Sequence, residues 1–368
     1  MIKKINLKNV RCFTNSIFNI NSKNIILTGN NAIGKTTILE SIYLASLTKS
    51  HRTNNLKEII KDEQEFADIK IFDDKNEYRI ILSEKGKMVL LNKNEIKKIS
   101  EYIGKFPTIL FSPYDLDIVT GSPTLRRQFL NQEISQINPK YLQQVNLYNN
   151  LLHERNSCLK ELNENSDLTY LKVITNELIK AAKPIILARN SFIEEVNKVI
   201  NVFQKKLNLN EKIEIIYKPS VLINDLEKIY QEKMLSDIFN NVTQCGPHRD
   251  DLIFLLNEKN LNRFGSQGQI RSVVLSLKLS LCELIKNHQG VYPILLLDDV
   301  LSELDDARQT QLLNTIKNKV QTFITTTNID GIDENVIELA DIFTINNAKI
   351  RIGDKNDARS IENTTVWC

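Results

Sequence analysis

Apolar positions along the chain change texture twice. Over the first hundred residues they come in short runs at 2–7, 25–28, 67–72, 78–82 and 88–91, separated by Asn, Asp, Gly and Ser. Such runs predict β-strands. Lys85-Gly86-Lys87 predicts a hairpin turn between the last two. One helical period interrupts them at about 36–47, carried by Ile38, Leu39, Ile42 and Leu44. This part reads as a parallel-sheet lobe with a small antiparallel addition. From Thr124 to about Leu207 the apolar period becomes helical, predicting helices over 125–134, 141–162 and 168–203. Pro184 predicts a kink or a break in the last of these. The two long helices would form either an antiparallel arm or a compact cap. Strands return at 213–217 and 252–256. A helix follows with Val273, Val274, Leu277, Leu281 and Leu284 on its apolar face. Then come a buried strand at 294–297, a helix over about 304–317 and a strand at 322–326. The order predicts an α/β fold split around an inserted, mainly helical lobe, with parts 1–112, 113–240 and 241–368.

Composition narrows the class. A chain of 368 residues, 42% hydrophobic and 25% charged, has the make-up of a globular protein with a sizeable core. No apolar run approaches membrane-spanning length, and the N-terminus lacks the apolar stretch of a signal peptide. The five cysteines, at 12, 158, 245, 282 and 368, form no C-x-x-C pair, so neither a zinc site nor a disulfide framework is predicted. A cytoplasmic protein without a membrane partner is expected. The net charge of +3 says little, but its distribution is uneven. Residues 1–60 hold nine Lys/Arg against two Asp/Glu, and residues 291–368 hold seven against thirteen. A basic N-terminal region attracts polyanions; part of that charge also serves nucleotide phosphates.

The candidate chemistry begins after the second predicted strand. Gly29-Asn30-Asn31-Ala32-Ile33-Gly34-Lys35-Thr36 matches G-x-x-x-x-G-K-[ST], between a strand and a helix. Consecutive amides in such a loop wrap phosphates, and the helix N-terminus adds its dipole. Lys35 brings a charge to the β- and γ-phosphates and acts in catalysis; Thr36 brings a hydroxyl for Mg²⁺, with Thr37 beside it. Asp298 and Asp299 end the strand at 294–297. Adjacent carboxylates at a strand end are costly unless they face water or a cation. Beside a phosphate loop, Asp298 is expected to hold Mg²⁺, through water, and Asp299 to orient or deprotonate the attacking water. Ser266-Gln267-Gly268-Gln269 starts a predicted helix and offers a hydroxyl and amides to an anion. Arg52 is read as a contact to nucleotide or DNA phosphates; His51 is either that or a loop histidine. Gly246–Asp251 is read as a structural turn in which Arg249 pairs with Asp250 or Asp251. Arg126 and Arg127 are read as solvated helix charges.

With Ser302-Glu303-Leu304-Asp305, these stretches resemble the ATP-binding-cassette ATPases. Gly246-Pro247-His248-Arg249-Asp250-Asp251, Lys49-Ser50-His51-Arg52-Thr53, Phe111-Ser112-Pro113-Tyr114-Asp115-Leu116 and the opening Leu7-Lys8-Asn9-Val10-Arg11-Cys12-Phe13 narrow the resemblance to the RecF family of bacterial DNA replication and repair proteins. It covers essentially the whole chain, in order. The resemblance implies an ATPase head split around a helical lobe, with ATP and Mg²⁺ as cofactors. It also implies a homodimer when ATP is bound. Ser266 and Gly268, flanked by Gln267 and Gln269, would touch the γ-phosphate of the opposing subunit, and Asp305 would communicate across the interface. The implied function is a slow, DNA-stimulated ATPase switch that clamps duplex DNA at single-strand/double-strand junctions and, with RecO and RecR, helps load RecA. Three positions depart from the wider cassette pattern. Asp299 stands where many have Glu, Tyr114 where an acid is expected, and Thr325-Thr326-Thr327-Asn328 where many have a histidine. The cassette motifs alone also permit an ATPase subunit of a membrane transporter.

Overall fold

The computed structural model describes residues 1–162, 167–207, 210–316, 319–329, 337–346 and 349–352. The end predicted at 317 for the last helix lies outside the described residues. The chain divides into two compact units, Met1–Tyr114 with Ile285–Cys368, and Asp115–Leu284.

The first unit carries two six-stranded sheets. In one, Asn24–Thr28 is flanked by Thr322–Thr326 and Ala340–Asn346, followed outward by Ile294–Asp298 and Thr108–Phe111 on one side and Lys349–Ile352 on the other. All pairings except the last are parallel. The four strands at Asn24–Thr28, Thr108–Phe111, Ile294–Asp298 and Thr322–Thr326 are buried at every position, as parallel strands covered on both faces must be. The other sheet is antiparallel throughout, in the order Phe13–Asn19, Ile2–Val10, Phe66–Asp73, Glu77–Ser83, Gly86–Leu91, Asn94–Glu95. Its strands alternate: Tyr78, Ile80 and Leu82 are buried while their neighbours are partly exposed. The antiparallel part is therefore as large as the parallel part, not a small addition. Phe13–Asn19 escaped the sequence pattern because its buried positions are Phe13, Ser16 and Phe18, while Ile17 faces out.

The second unit is built on helices Pro123–Ile137, Pro139–Glu161 and Thr169–Lys206. The two long helices run antiparallel: Glu154 meets Tyr170, Arg155 meets Thr175 and Tyr141 meets Arg189. Pro184 lies inside one uninterrupted 38-residue helix. The lost amide bond is outweighed locally by burial of Ala181, Ala182, Ile185 and Ile186 around it. Asn197 and Asn201, one turn apart, each bond both the amide and the carbonyl of Ile215 and of Ile213, at 2.7–2.9 Å. They take the place of a neighbouring strand on the edge of Ile213–Lys218. The helix pair thus belongs to a compact cap rather than a free arm. Ile213–Lys218 pairs antiparallel with Asp251–Leu256. That pairing draws residues 241–284 into the helical unit, whereas the sequence assigns them to the ATPase head. The fully buried Arg155 joins Asp237 at 2.8 Å and Thr243 at 2.7 Å. Removing one partner of such a pair costs about 3–5 kcal/mol, because the other charge is left buried and uncompensated.

Candidate nucleotide site

The strand order decides which loops meet. The loop after Asn24–Thr28 and the acidic end of Ile294–Asp298 are separated by one strand, Thr322–Thr326. All three end at the same sheet edge because they run parallel. Gly29 and Gly34 sit at φ +136° and +111°, in the left-handed region that favours glycine. A Cβ on Gly34 would lie 2.7 Å from Cys12 Sγ and 2.9 Å from the Phe13 ring. The helix Lys35–Leu47 then starts with its amides turned to the loop. Lys35 Nζ donates to the carbonyls of Gly29 and of Asn30, the latter at 2.9 Å. Burial lowers its pKa, and the charges of Asp299 and Asp298 oppose that shift.

Thr36 Oγ1 and Thr325 Oγ1 both donate to Asp298 Oδ1, each at 2.9 Å. Thr325 Oγ1 in turn accepts the Asp299 amide at 2.8 Å. Asp299 is held at φ +54°. Ser302 Oγ donates to the Asp299 carbonyl and carboxylate at 2.7 and 3.0 Å. The result is a cleft of about 380 Å³ lined by Asn31, Ala32, Gly34–Thr37, Asp298, Asp299 and Thr325. Asn30 contributes its carbonyl and Ile33 packs behind Gly29. Thr36 and Asp298 present hydroxyl and carboxylate oxygens side by side. Mg²⁺ prefers such oxygens and fills its shell with waters and phosphate oxygens, so the residues fit that ion.

Three contributors were not singled out in the sequence. Arg11 lines the cleft with Arg52, and Glu40 holds both. Arg11 forms a two-pronged pair with Glu40 at 2.7 and 2.9 Å; Ser50 adds a bond at 2.5 Å and Arg52 one at 3.4 Å. Glu40 is only 1% exposed, and burial pushes its pKa up, but Arg11 and Ser50 outweigh that and the net shift is downward. Cys12 forms the remaining wall. Thr325 and Thr326 are committed inside the protein, Thr326 Oγ1 to the Asn328 carbonyl at 2.6 Å.

In the second unit Ser266 and Gln269 form a reciprocal cap. Ser266 N donates to Gln269 Oε1 at 2.9 Å, and Gln269 N donates to Ser266 Oγ at 3.2 Å. Gln269 Nε2 reaches Glu211 at 2.7 Å, so this side chain braces the loop. Ser266 and Gln267 remain exposed, and Gly268 is half-buried. Asp305 caps the helix Asp306–Ile316 by accepting from the Arg308 amide at 2.9 Å.

The whole chain has close relatives. Residues 1–351 match the RecF/RecN/SMC N terminal domain. The DNA replication and repair protein RecF of Bacillus cereus (strain G9842) is 42% identical over 366 residues, covering 95% of this chain and 98% of the relative. The chain belongs to the RecF family. A second RecF, from Bacillus thuringiensis (strain Al Hakam), is 41% identical over the same length. Among solved structures, the recombination mediator protein RecF-ATP in the RecFOR pathway superposes with TM-score 0.87 at 30% identity, covering 95% of this chain and 96% of that one. The Smc head domain from Pyrococcus furiosus, at 14% identity and TM-score 0.54, shares the fold. These matches bear out the α/β cassette-type head expected from the RecF resemblance.

Two sequence-based readings, a pairing and a solvated charge, are corrected in this RecF-family chain. Asp250 is fully buried and pairs with Arg189 at 2.7 Å, not with Arg249, which is exposed. Asp251 pairs with Arg126 at 2.5 Å, and Arg126 is 7% exposed, so it is a buried structural cation and not a solvated charge. Tyr114 is 69% exposed, and the neighbouring Asp115 is tied to Lys278 at 2.6 Å.

Proposed function

We propose that this chain is an ATP-dependent DNA-binding protein of replication and recombinational repair, acting as a slow ATPase switch. The observation that carries the ATPase reading is the hydrogen-bonded path Thr36–Asp298–Thr325–Asp299 across three adjacent strand ends beside the phosphate loop. It brings Thr36, Asp298 and Asp299 to one cleft, which supports reading them as a metal-holding pair and a water-orienting carboxylate. The loop amides and Lys35 would hold the phosphates, Thr36 and Asp298 would hold Mg²⁺, and Asp299 would orient the water. Bound Mg²⁺ would supply positive charge to the phosphate oxygens. Arg52 and Arg11, anchored by Glu40, would face the same anion.

The exposed Ser266-Gln267-Gly268 surface would close the cleft of a second copy, with Asp305 at the same interface, so ATP joins a homodimer and hydrolysis releases it. The closed dimer would clamp duplex DNA near single-strand/double-strand junctions through phosphate contacts, which are salt-sensitive and sequence-independent. That a similar protein acts in the RecFOR pathway supports RecO and RecR as partners; loading of RecA in the cytoplasm would be the outcome. Among the described residues no helix is long and apolar enough to cross a membrane. The transport-ATPase alternative draws no support from the relatives, which are replication and repair proteins.

The test is sedimentation and duplex binding, with and without ATP, for the wild type beside Lys35→Ala and Ser266→Arg. ATP should dimerise the wild type and tighten its DNA binding. Lys35→Ala should lose ATP, and Ser266→Arg should keep ATP yet stay monomeric. A wild type that neither dimerises nor tightens on DNA with ATP sinks the proposal.

A further inference from the structure

The helical unit holds a second cavity, of about 180 Å³, that the ATPase cycle does not use. One wall is a single face of the helix Pro123–Ile137: Thr124, Arg127, Gln128 and Asn131, spaced i, i+3, i+4 and i+7. The second wall is Val145, Tyr148 and Asn149 of the next helix; Pro247 and His248 of the Gly246–Asp251 turn close the third side, and Ile185 and the ion-paired Arg189 of the 38-residue helix complete the lining. Helix faces that pack together are normally apolar. This one carries a guanidinium, two amides and a hydroxyl, and no carboxylate lines the cavity.

Charge at this turn is unbalanced. Arg126, Arg127, Arg189 and Arg249 stand against only Asp250 and Asp251. Both aspartates are already satisfied. Asp250 takes Arg189 at 2.7 Å, the Tyr217 hydroxyl and the Ser220 amide at 2.9 Å. Asp251 is forked by Arg126 at 2.5 and 3.2 Å. Among the described residues Arg127 bonds only neutral oxygens, the Asp250 carbonyl at 2.9 Å and the Thr124 hydroxyl at 3.0 Å. Its cation is thus positioned but not neutralised. Burial lowers its pKa and repulsion from Arg189 adds to that, outweighing the opposing charges of Asp251 and Asp250, neither of which it bonds through a carboxylate oxygen. Asn131 Oδ1 accepts from Tyr141 at 2.7 Å and from Arg189 at 3.0 Å, which fixes that oxygen inward and leaves the amide nitrogen as the group it can offer. His248 contributes no charge. Its Nε2 meets the Thr243 carbonyl at 2.9 Å and must donate, so Nδ1 accepts from Tyr148 at 2.7 Å. Burial holds its pKa down at about 4.

We propose that this cavity is a phosphate-binding site, in which Arg127 supplies the charge and the Gln128, Asn131 and Asn149 amides supply donors to a phosphate mono- or diester. A water occupies about 30 Å³ of liquid, so the cavity has room for several waters or one phosphate group. A lining with an arginine, several amide N–H groups and no carboxylate favours tetrahedral oxyanions over cations. The phosphate can come from a nucleic-acid backbone or from a free phosphate ester.

The test uses the full chain and inorganic phosphate, read by ³¹P line broadening. Lys35→Ala first weakens the phosphate loop as an anion site. That protein should still broaden the phosphate signal. Adding Arg127→Gln should abolish the broadening. Adding Gln128→Glu instead breaks none of the buried bonds described above but puts a carboxylate into the cavity. It should weaken phosphate binding about tenfold or more with the melting temperature unchanged. Absence of broadening by Lys35→Ala, or broadening unaffected by both second substitutions, overturns the proposal. A short DNA duplex separates the sources. If backbone phosphate occupies the cavity, Gln128→Glu weakens duplex binding, the log K against log salt slope falls by about one, and inorganic phosphate competes. If a free ester occupies it, duplex binding is unchanged while the broadening is lost. Either result stands apart from ATP-driven dimerisation, which the Lys35→Ala background removes.

Discussion

Thr325→Val tests the link between the two carboxylates. Thr325 is 1% exposed, and valine keeps its shape, so only the hydroxyl is lost. That hydroxyl donates to Asp298 at 2.9 Å and accepts the Asp299 amide at 2.8 Å. Asp298 retains its bond from Thr36, also 2.9 Å, so its position is weakened but kept. Asp299 loses the bond that pins its backbone at φ +54°, a conformation costing a non-glycine residue about 1–3 kcal/mol. A hydrogen bond to a charged group is worth about 1.5–3 kcal/mol, and the bond to the Asp299 amide about 1. The expected loss of stability is therefore about 2.5–4 kcal/mol. If half of that appears as misplacement of Asp299 in the transition state, hydrolysis slows about tenfold, at 1.4 kcal/mol per decade. Thr325 makes no bond to the phosphate loop, so ATP affinity should stay within about twofold of wild type. Single-turnover hydrolysis, nucleotide titration and urea unfolding measure the three quantities. Thr325→Ser keeps both bonds and should restore hydrolysis. Wild-type hydrolysis and stability in the valine variant would refute the bridging role. Weakened ATP binding with normal turnover would instead mean that the hydroxyl serves the γ-phosphate.

Gly34→Ala combines a left-handed φ of +111° with a Cβ 2.7 Å from Cys12 Sγ. It should destabilise the first unit by about 1–3 kcal/mol and weaken ATP binding at least tenfold in a fluorescent-nucleotide titration; wild-type affinity would show that the loop relaxes freely. Glu133 is buried, and burial raises its pKa from 4.5 to about 7, against a lowering by Lys278. The unfolded chain releases this proton first as pH rises, so wild-type stability should fall between about pH 4.5 and pH 7 and then level off. Glu133→Gln should thus be more stable than wild type by about 3 kcal/mol at pH 8, with the gap closing towards pH 4.5. Urea midpoints at both pH values check it, and a gap independent of pH would contradict the assignment.

What could be read in the sequence, and what could not, divides along contact range. Gly29–Thr36 was legible because a phosphate cradle is made of consecutive amides, and its requirements are local: glycines for torsion, a strand before, a helix after. The reciprocal cap of Ser266 and Gln269 is equally local, three residues apart. Thr325 was visible only as a departure from a histidine, because its partner Asp298 lies 27 residues away and the two meet through parallel pairing. Glu40 was hidden inside an apolar helical period, and Arg11 comes to it from 29 residues upstream. At Gly246–Asp251 the local rule failed outright. Neighbouring charges suggested a pairing with Arg249, while burial of Asp250 demanded a cation already held in the core, and Arg189, 61 residues away, supplied it. At Pro184 the break does not occur, since helix continuity there is supported by packing on both sides of it. The consequence reaches function. A site made by backbone carries a motif and can be transferred between relatives by inspection. A site made by side chains converging from distant segments, as Arg127, Asn131 and Asn149 do, has no motif and emerges only from the fold.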